Sequence, residues 1–599
     1  MSLELDRNDS SNGVGSVDLG DTMRRLTAGF VIAGLSAAPL LTSSILSQSA
    51  GNREAVSTQP MASSNAARFL TQATFGPTDS SIAAVQSAGY ATWIDQQEAM
   101  PVSASHQSYI ESRLAALQAT NPAAKIGYPD FFNSFWKQAA TGPDQLRQRV
   151  KLALSEIFVI SFNGVLLDTR GVASYYDMLG ANAFGNYRAL LEAVTLHPMM
   201  GTYLTHLGSV KEDPNTGEEP DQNFAREIQQ LMSIGLYQLN QDGSLQTDGS
   251  GSPISTYSTS DIDGLSKVLT GFSWYSPKPT MVGGKATFNG GSRDPNATVT
   301  PMIAYPSYHS ISSKSFLGVT IPASTTPDPS GDLKIALDTI FNHPNVGPFI
   351  GRQLIQKLVT SNPSPAYVAR AAAVFNDDGT GVRGNLGAVV KAILLDPEAR
   401  DDTAVSSQTF GKLREPVVRV ANWMRAFNAT SDSGWWQVGS TSGAVSLGQS
   451  VMFSPSVFNF WRPGYSPPNT TLGALNLVAP EFQSVNVSSV SAYIINIHAV
   501  VFTGLGAKSA ATGVSDIYST YAKEIALAND SAALTDRINT LVLYGQMSAS
   551  LRSRILDAVN VIRIPTPPAT TAQINAALKS RVSTAVYMAL ASPEYLAQR

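Results

Sequence analysis

The residues best suited to chemistry stand together in one short segment, residues 221–230, with the sequence DQNFAREIQQ. Pro220 and the aspartate after it favour a helix start, which places Asn223 and Glu227 four residues apart on one polar face. Such a face can orient an anionic or hydroxylated ligand. Glu227 would then be a general acid or base, and Asn223 and Arg226 would bind substrate. The alternative is that Arg226 and Glu227 form a buried ion pair that braces loops.

A second pair, His309 and Lys314, lies in a long irregular stretch of the chain. A histidine can act as a general base because its ordinary pKa of about 6.5 lies near neutrality. Loops on a rigid scaffold are also where binding residues concentrate. If this stretch folds over the helix of residues 221–230, then His309, Lys314 and Glu227 share one catalytic pocket. The alternative is a hydrogen bond that only clamps the loop.

Aromatic residues offer a third candidate. Trp435 and Trp436 lie in a Ser/Gly/Thr-rich insert, whereas Trp461 and Arg462 lie in a cluster of aromatics and prolines. Exposed aromatics on polar loops can stack on sugar rings or on a partner protein, but they can also fill the core beneath a loop. We expect Trp461 and Arg462 to shape a central cavity and to bind substrate.

Two aspartate-rich segments, residues 213–221 and 376–381, resemble oxygen-rich calcium loops but lack the terminal glutamate of the EF-hand pattern. Simple turns are the expectation here and calcium the alternative, so no cofactor and no metal site is predicted. No zinc-protease, nucleophile-elbow or dinucleotide motif occurs. Ser134 and Lys137 match Ser-x-x-Lys, but without its companion motifs this is a chance match.

The composition excludes several classes of protein. The chain has 599 residues, 41 basic and 45 acidic, and no cysteine. Disulfides, thiolate zinc sites, iron–sulfur clusters and a cysteine nucleophile are therefore absent. The formal charge of −4 gives no long-range field that attracts nucleic acid. Charged residues are 14% of the chain against roughly 25% in typical domains, so charges within distinctive segments, such as Lys412 and Glu415, are predicted to be paired or functional.

Helical periodicity dominates from Asn65 onward. One apolar stripe covers residues 386–394 and ends at Asp396-Pro397. Another covers 146–158, with Arg147, Arg149 and Lys151 mostly on the opposite face. Further stripes cover residues of about 345–360, 411–427, 533–545 and 572–594. The prediction is a mainly α protein, with one large helical domain over residues 65–599, long irregular loops and minor β-hairpins. Polar inserts are expected near 241–258, 276–330 and 428–450, with β-prone pieces at KATF (285–288) and ATVTPM (297–302).

Residues 1–49 have the pattern of an export signal. Arg24-Arg25 precede an apolar run of about 16 residues, shorter than a membrane span of roughly 20. The paired arginines indicate twin-arginine export to the periplasm or beyond, with cleavage near Ala50 and a linker over 50–64. The first residues are acidic, so Met23 is a possible true start. A disordered tail with a surface-bound helix is the alternative. No later run predicts a membrane span.

Several segments together resemble the bacterial domain of unknown function 1800 (DUF1800) family, with matching order over about 65–599. They are 66–78, 89–97, 147–161, 219–236, 257–274, 309–318, 343–359, 374–400, 412–420, 454–465 and 478–483. The resemblance implies export, a possible partner in an exported sulfatase-like protein encoded nearby, and a recurrent pairing of His309 with Lys314. Asp261, within 257–274, is added as a substrate-binding candidate. Gln230 stands where the family commonly has a second glutamate, which weakens a paired-carboxylate site there.

Two functions follow. The favoured one is an exported hydrolase-like enzyme that acts on an extracytoplasmic polymer or conjugate. The alternative is a noncatalytic envelope protein that binds glycan or assembles with the sulfatase-like partner. An enzyme predicts a pocket with at least two titratable groups in contact, whereas a binding protein predicts an aromatic groove or an apolar patch.

Overall fold

The apolar stripes of the sequence form helices in the computed structural model, which describes residues 61–599 apart from 279, 283–284, 289–293 and 510–512. Over these residues the fold is mainly α, as predicted, with about half of the chain helical. The helices of the first half are Ser63–Ala73, Asp79–Ala88, Tyr90–Ala99, His106–Gln118, Tyr128–Thr141, Gln145–Ser155, Thr169–Ala181, Tyr187–Leu196, Pro198–Tyr203, Asn223–Gln230 and Thr259–Val268. Those of the second half are Pro329–Asn342, Val346–Leu358, Pro365–Asn376, Leu386–Leu395, Pro397–Arg400, Pro416–Ala426, Thr471–Ala474, Val487–Thr503, Ala522–Leu527, Ser531–Leu543, Ala549–Val561, Thr571–Leu590 and Pro593–Leu596.

Short antiparallel strands occur in the stretches between the helices. Within the described ranges they form four two-stranded sheets and one three-stranded sheet. The strands are Phe272–Ser273, Met281–Val282, Lys285–Ala286, Ile303–Ala304, Lys314–Phe316, Val319–Ile321, Lys412–Leu413, Thr430–Ser431, Leu505–Lys508, Ser515–Tyr518 and Ala597–Gln598. The last of these strands pairs with Lys412–Leu413, which ties the end of the chain to the segment that leads into the helix Pro416–Ala426.

The helix Gln145–Ser155 lies at the centre of the core, where it packs against helices from both halves of the chain. Every one of its side chains is buried, including those of Arg147, Arg149 and Lys151. The periodicity is therefore right about the apolar stripe, but the charged face opposite it is also covered by protein. A buried charged face needs partners, because an unpaired ion in the interior is costly.

The predicted stripes are confirmed, with two local corrections. The stripe at 411–427 begins as the strand Lys412–Leu413, and its helix starts only at Pro416, where a proline at the first helical position is well tolerated. KATF contributes the strand Lys285–Ala286, but the strand prediction for ATVTPM is wrong. Most of that piece forms turns, and the strand follows it at Ile303–Ala304.

The polar inserts have the irregular character that was expected. Residues 241–258 consist of turns joined by isolated bridges such as Thr247 with Pro253. The insert at 428–450 supplies the strand Thr430–Ser431, which pairs with Ser515–Tyr518. The first helix that the structure describes begins at Ser63.

The predicted export signal and most of the linker lie outside the described residues. Among the helices that the structure does describe, none combines the length and the apolar character needed to cross a membrane.

The packing of the helix Leu386–Leu395 gives a first test. Leu394 is fully buried, so Leu394→Ala should lower the free energy of unfolding by about 2–5 kcal/mol through lost burial and a residual cavity. Ile335→Ala is the matched control because Ile335 is 42% exposed, and it should cost less than about 1 kcal/mol. Urea unfolding of both variants checks this. Equal losses would contradict the assigned core.

Candidate functional site

The predicted helix at Glu227 is present as Asn223–Gln230. Asp221, just before this helix, accepts hydrogen bonds from the Asn223 backbone N–H and the Thr205 hydroxyl, both at 2.9 Å. The Glu227 carboxyl is buried, and its Oε2 has no hydrogen-bonding partner. Burial raises the pKa of Glu227, although Arg226 opposes the rise. Arg226 itself is exposed, and no ion pair joins it to Glu227 in the described part of the chain, so the alternative ion pair is not observed.

His309 and Lys314 lie together, joined by an aspartate that the sequence did not single out. His309 is completely buried; its Nδ1 contacts the Thr270 carbonyl oxygen at 2.7 Å, and its Nε2 lies 3.0 Å from Asp332 Oδ2. Lys314 Nζ lies 2.9 Å from the same Asp332 oxygen. This arrangement matches the loop-clamping alternative. No hydrogen bond or ion pair links Glu227 to either residue among those that the structure places, so their shared pocket stays a prediction.

Asp261 stands at the start of the helix Thr259–Val268. Its carboxylate accepts hydrogen bonds from the Ser258 backbone N–H and from the Leu317 backbone N–H, each at 2.7 Å. Burial acts to raise the pKa of Asp261, but these bonds and the one from the Ser258 hydroxyl outweigh it and lower the pKa. The carboxylate therefore caps a helix and holds a neighbouring loop in place. Its predicted contact with substrate stays a prediction.

The aromatic cluster separates into an exposed and a buried part. Arg462 is exposed and covers the ring of Phe458 at 4.7 Å. Trp461 is only 2% exposed, and its indole N–H has no hydrogen-bonding partner. The ammonium of Lys357 lies 5.5 Å from the centre of the Trp461 ring. A set of buried charged residues therefore lies next to Trp461.

These charges form what we call the buried ionic site. Its members are all less than 10% exposed and come from four separate parts of the chain. They are Arg149, Glu156, Lys357, Lys412, Glu415 and Glu481. Each part is one of the segments that carry the DUF1800 resemblance, so the distinctive segments of the sequence meet at one place in the fold.

Ion pairs connect the members of the buried ionic site. Lys357 Nζ lies 2.6 Å from Glu156 Oε2. Lys412 Nζ lies 3.3 Å from Glu415 Oε1 and 3.0 Å from Glu481 Oε1. Arg149 Nη2 lies 3.5 Å from Glu415 Oε1. Three cations thus face three carboxyl groups in an environment where unpaired charges would be strongly destabilising.

The helix ends determine how each charge is positioned. Lys357 is in the last turn of Val346–Leu358, where the helix dipole favours a cation, and Glu415 is the N-cap residue of Pro416–Ala426, where it favours an anion. Glu156 is the C-cap residue of Gln145–Ser155, where the dipole disfavours an anion. The two glutamates therefore differ in how well their surroundings tolerate a negative charge.

Glu156 and Glu415 form a carboxyl pair. Gln449 Nε2 donates to both, to Glu156 Oε1 at 3.3 Å and to Glu415 Oε2 at 3.4 Å. Burial and the Glu415 carboxylate raise the pKa of Glu156 to about 7. Burial also acts to raise the pKa of Glu415, but Lys412 and Arg149 outweigh it and hold that pKa far below its usual range. The surroundings therefore push the two pKa values apart, and Glu156 is the carboxyl group that holds a proton more readily.

One small cavity adjoins Glu156, and a second adjoins Lys357 and Glu481. Glu156 and Asn459 line the first, and Lys357, Gln353 and Glu481 line the second. Buried polar atoms next to these cavities have no hydrogen-bonding partner, among them Asn459 Nδ2, Gln353 Nε2 and Glu481 Oε2. Because buried polar groups are usually satisfied, these atoms mark where water or a ligand group can bind.

The sequence identified part of this site. Trp461 was predicted as a binding residue, and Lys412 and Glu415 were predicted to be paired or functional, which their ion pairs confirm as pairing. Arg149, Glu156, Lys357 and Glu481 were missed. The sequence feature that could have identified these four residues is the one that identified Lys412 and Glu415. Each is a charged residue inside a distinctive segment of a chain with few charges.

The aspartate-rich loops have a simpler structure. Asp213 accepts a hydrogen bond from the Asn215 backbone N–H at 2.9 Å, and Asp377 accepts from the Gly379 and Gly381 backbone N–H groups. These bonds are those of ordinary turns. Over the described ranges, no group of three or more His, Asp or Glu side chains is arranged to hold a metal ion.

Comparison with known proteins gives one match. A family model described as "Protein of unknown function (DUF1800)" matches residues 68–597. No curated protein and no solved structure matches the chain significantly.

The buried ionic site predicts a large effect of removing one partner. Lys412→Met leaves Glu415 and Glu481 without their shared cation and should lower the free energy of unfolding by about 3–5 kcal/mol. Lys334→Met is the matched control, because Lys334 is 74% exposed and pairs only with Asp338, and it should cost less than about 1 kcal/mol. Chemical denaturation measures both. A Lys412 variant as stable as the control would contradict the ion pairs.

The carboxyl pair predicts a pH dependence. Because the pKa of Glu156 is raised from 4.5 to about 7, its contribution to stability is complete below pH 4.5 and is lost as the pH rises through 7. Glu156→Gln cannot ionise, so its stability relative to wild type should increase between about pH 5 and about pH 8. Urea unfolding at both values measures this. Glu192→Gln, at an exposed carboxyl, should show no such change, and a Glu156 variant that behaves like it would refute the raised pKa.

Proposed function

The chain belongs to the DUF1800 family of proteins of unknown function, and we propose that it is an exported hydrolase in which Glu156 and Glu415 activate water. The observation that carries this proposal is a pair of buried carboxyl groups that accept from one amide nitrogen, Gln449 Nε2, with Glu156 beside a cavity. Such pairs serve as combined general acid and base, because one carboxyl can accept a proton while the other donates one.

The reaction follows from the protonation states. The Glu415 carboxylate takes a proton from water as the water oxygen bonds to a carbonyl carbon of the substrate. The Glu156 proton passes to the carbonyl oxygen. As the bond to the leaving group breaks, the leaving group takes the proton from Glu415, and the carbonyl re-forms as its hydroxyl returns a proton to Glu156.

The surrounding cations suit this chemistry. With Glu156 protonated, three cations face only two carboxylates, so negative charge that develops on a carbonyl oxygen would be stabilised by Lys357 and Arg149. The unpaired N–H groups of Asn459 and Gln353 add donors beside the cavities. Trp461 covers Lys357 and limits the access of water.

The hydrogen-bond donor that the two carboxyl groups share also favours one bond type over another. Glycosidases separate their two carboxyl groups by about 5 Å or more so that a sugar or a water fits between them. Here a single amide nitrogen, Gln449 Nε2, donates to both groups, which favours addition of water to a small ester or amide carbonyl. The substrate that we propose is an acyl-linked extracytoplasmic polymer or conjugate.

Export is part of the proposal. It is supported by Arg24-Arg25 and the apolar run after them, and by a cysteine-free composition that needs no oxidative folding after transport. Periplasmic or extracellular location follows from that signal.

Activity measurements test the hydrolase directly. The mature protein should hydrolyse members of a panel of nitrophenyl esters and anilides but not nitrophenyl glycosides. Glu156→Gln and Glu415→Gln should each lower kcat/KM by about a hundredfold or more, since each removes one half of the acid–base pair. Glu192→Gln, at an exposed carboxyl, is the control and should leave the rate unchanged.

Three outcomes would contradict the proposal. They are turnover of glycosides alone, full activity of the Glu415 variant, and no turnover of any compound in the panel by the folded wild type.

A further inference from the structure

A separate cleft opens between the helices His106–Gln118 and Tyr128–Thr141, with about 850 Å³ of empty space. Trp435, from the polar insert at 428–450, forms part of its wall. None of the residues of the buried ionic site lines this cleft, so it is a second site with its own chemistry.

Small hydroxyl residues are the most frequent type among the residues that line the cleft. Six small hydroxyl side chains line it, namely Ser103, Ser105, Ser108, Ser112, Ser134 and Thr141. Hydroxyl groups both donate and accept hydrogen bonds, so they match a ligand that does the same. Lys137 is the one charged side chain among the described lining residues, and it lies 3.4 Å from the Gly434 carbonyl oxygen and over the Tyr109 ring.

Two aromatic rings form the apolar part of the wall. The rings of Tyr109 and Trp435 meet edge to face with centroids 5.4 Å apart, and the Tyr109 hydroxyl donates to the Trp435 carbonyl oxygen. The guanidinium of Arg113 lies 5.0 Å from the centre of the Trp435 ring. Trp435 is therefore held in place but remains partly exposed.

Buried hydrogen bonds fix the two helices that form the walls. His106 Nδ1, on one helix, lies 2.7 Å from Ser134 Oγ on the other. Lys151, from the central helix, lies 2.9 Å from His106 Nε2 and donates to Gln138 Oε1 at 3.2 Å. A cleft whose walls are tied in this way is formed before its ligand arrives, which lowers the entropy cost of binding.

We propose that this cleft binds a neutral oligosaccharide. The hydroxyl-rich lining would exchange hydrogen bonds with sugar hydroxyl groups, and the Trp435 and Tyr109 rings would pack against the apolar face of a pyranose ring. A charged polymer fits less well, because the lining offers one cation that already has partners. This proposal goes beyond the hydrolase activity and does not depend on it.

Isothermal titration of the full-length mature protein tests the cleft. The probes are maltohexaose, cellohexaose and chitohexaose as neutral sugars, with a hexameric polygalacturonate and an unstructured Ser/Gly peptide for comparison. Wild type should bind at least one neutral hexasaccharide and neither comparison probe. Trp435→Ala should weaken that binding by about tenfold or more.

Further variants separate the loss of a sugar contact from a folding defect caused by the change at Trp435. Ser112→Phe fills the cleft from an exposed position and should abolish binding without a change in thermal stability. Tyr237→Ala removes an aromatic ring that is 43% exposed on another loop and should bind as wild type does. Glu415→Gln should also bind normally, so a failure of the hydrolase proposal leaves this test intact.

The proposal is overturned if wild type binds no neutral sugar, if the acidic sugar or the peptide binds as tightly, or if Trp435→Ala and Ser112→Phe both bind like wild type.

Discussion

The structure depends on the pairing of charges that folding removes from water. Moving an ion into the protein interior costs several kcal/mol unless a partner of opposite charge and enough hydrogen bonds are supplied there. Arg149, Lys357 and Lys412 can be buried only because Glu156, Glu415 and Glu481 are brought beside them. Since these residues come from parts of the chain that are far apart, this one requirement fixes how the helices and loops around the centre are arranged.

The sequence predicted the helices better than it predicted their partners. The period of the apolar residues at 386–394 gives a helix and its end, because a proline that cannot continue the hydrogen-bond ladder follows. The same reasoning places Arg149 on a polar face but does not reveal that Lys357 and Glu415 cover that face. Glu156 was missed for a related reason: its burial and its pairing with Glu415 arise from tertiary contacts, which local spacing does not encode. The strand prediction for residues 297–302 was wrong because weak local β-propensity was outweighed by turn formation.

The low charge content now has a structural meaning. In a chain that is 14% charged, three of the basic residues and three of the acidic residues are placed where they face one another in the core. The polar insert at 428–450 then connects the two proposed sites, because Trp435 lines the cleft and Gln449 bonds to both carboxyl groups of the pair. This irregular loop is thus a structural element of both sites.

The central claim is that Glu156 and Glu415 share one proton near neutral pH. Infrared difference spectroscopy of the full-length mature protein measures this directly, because a protonated carboxyl group absorbs separately from a carboxylate. We expect the signal of a buried protonated carboxyl group at neutral pH that is lost as the pH rises above about 7 and is missing from Glu156→Gln. A spectrum with no protonated carboxyl at neutral pH, or one that Glu156→Gln leaves unchanged, would contradict it.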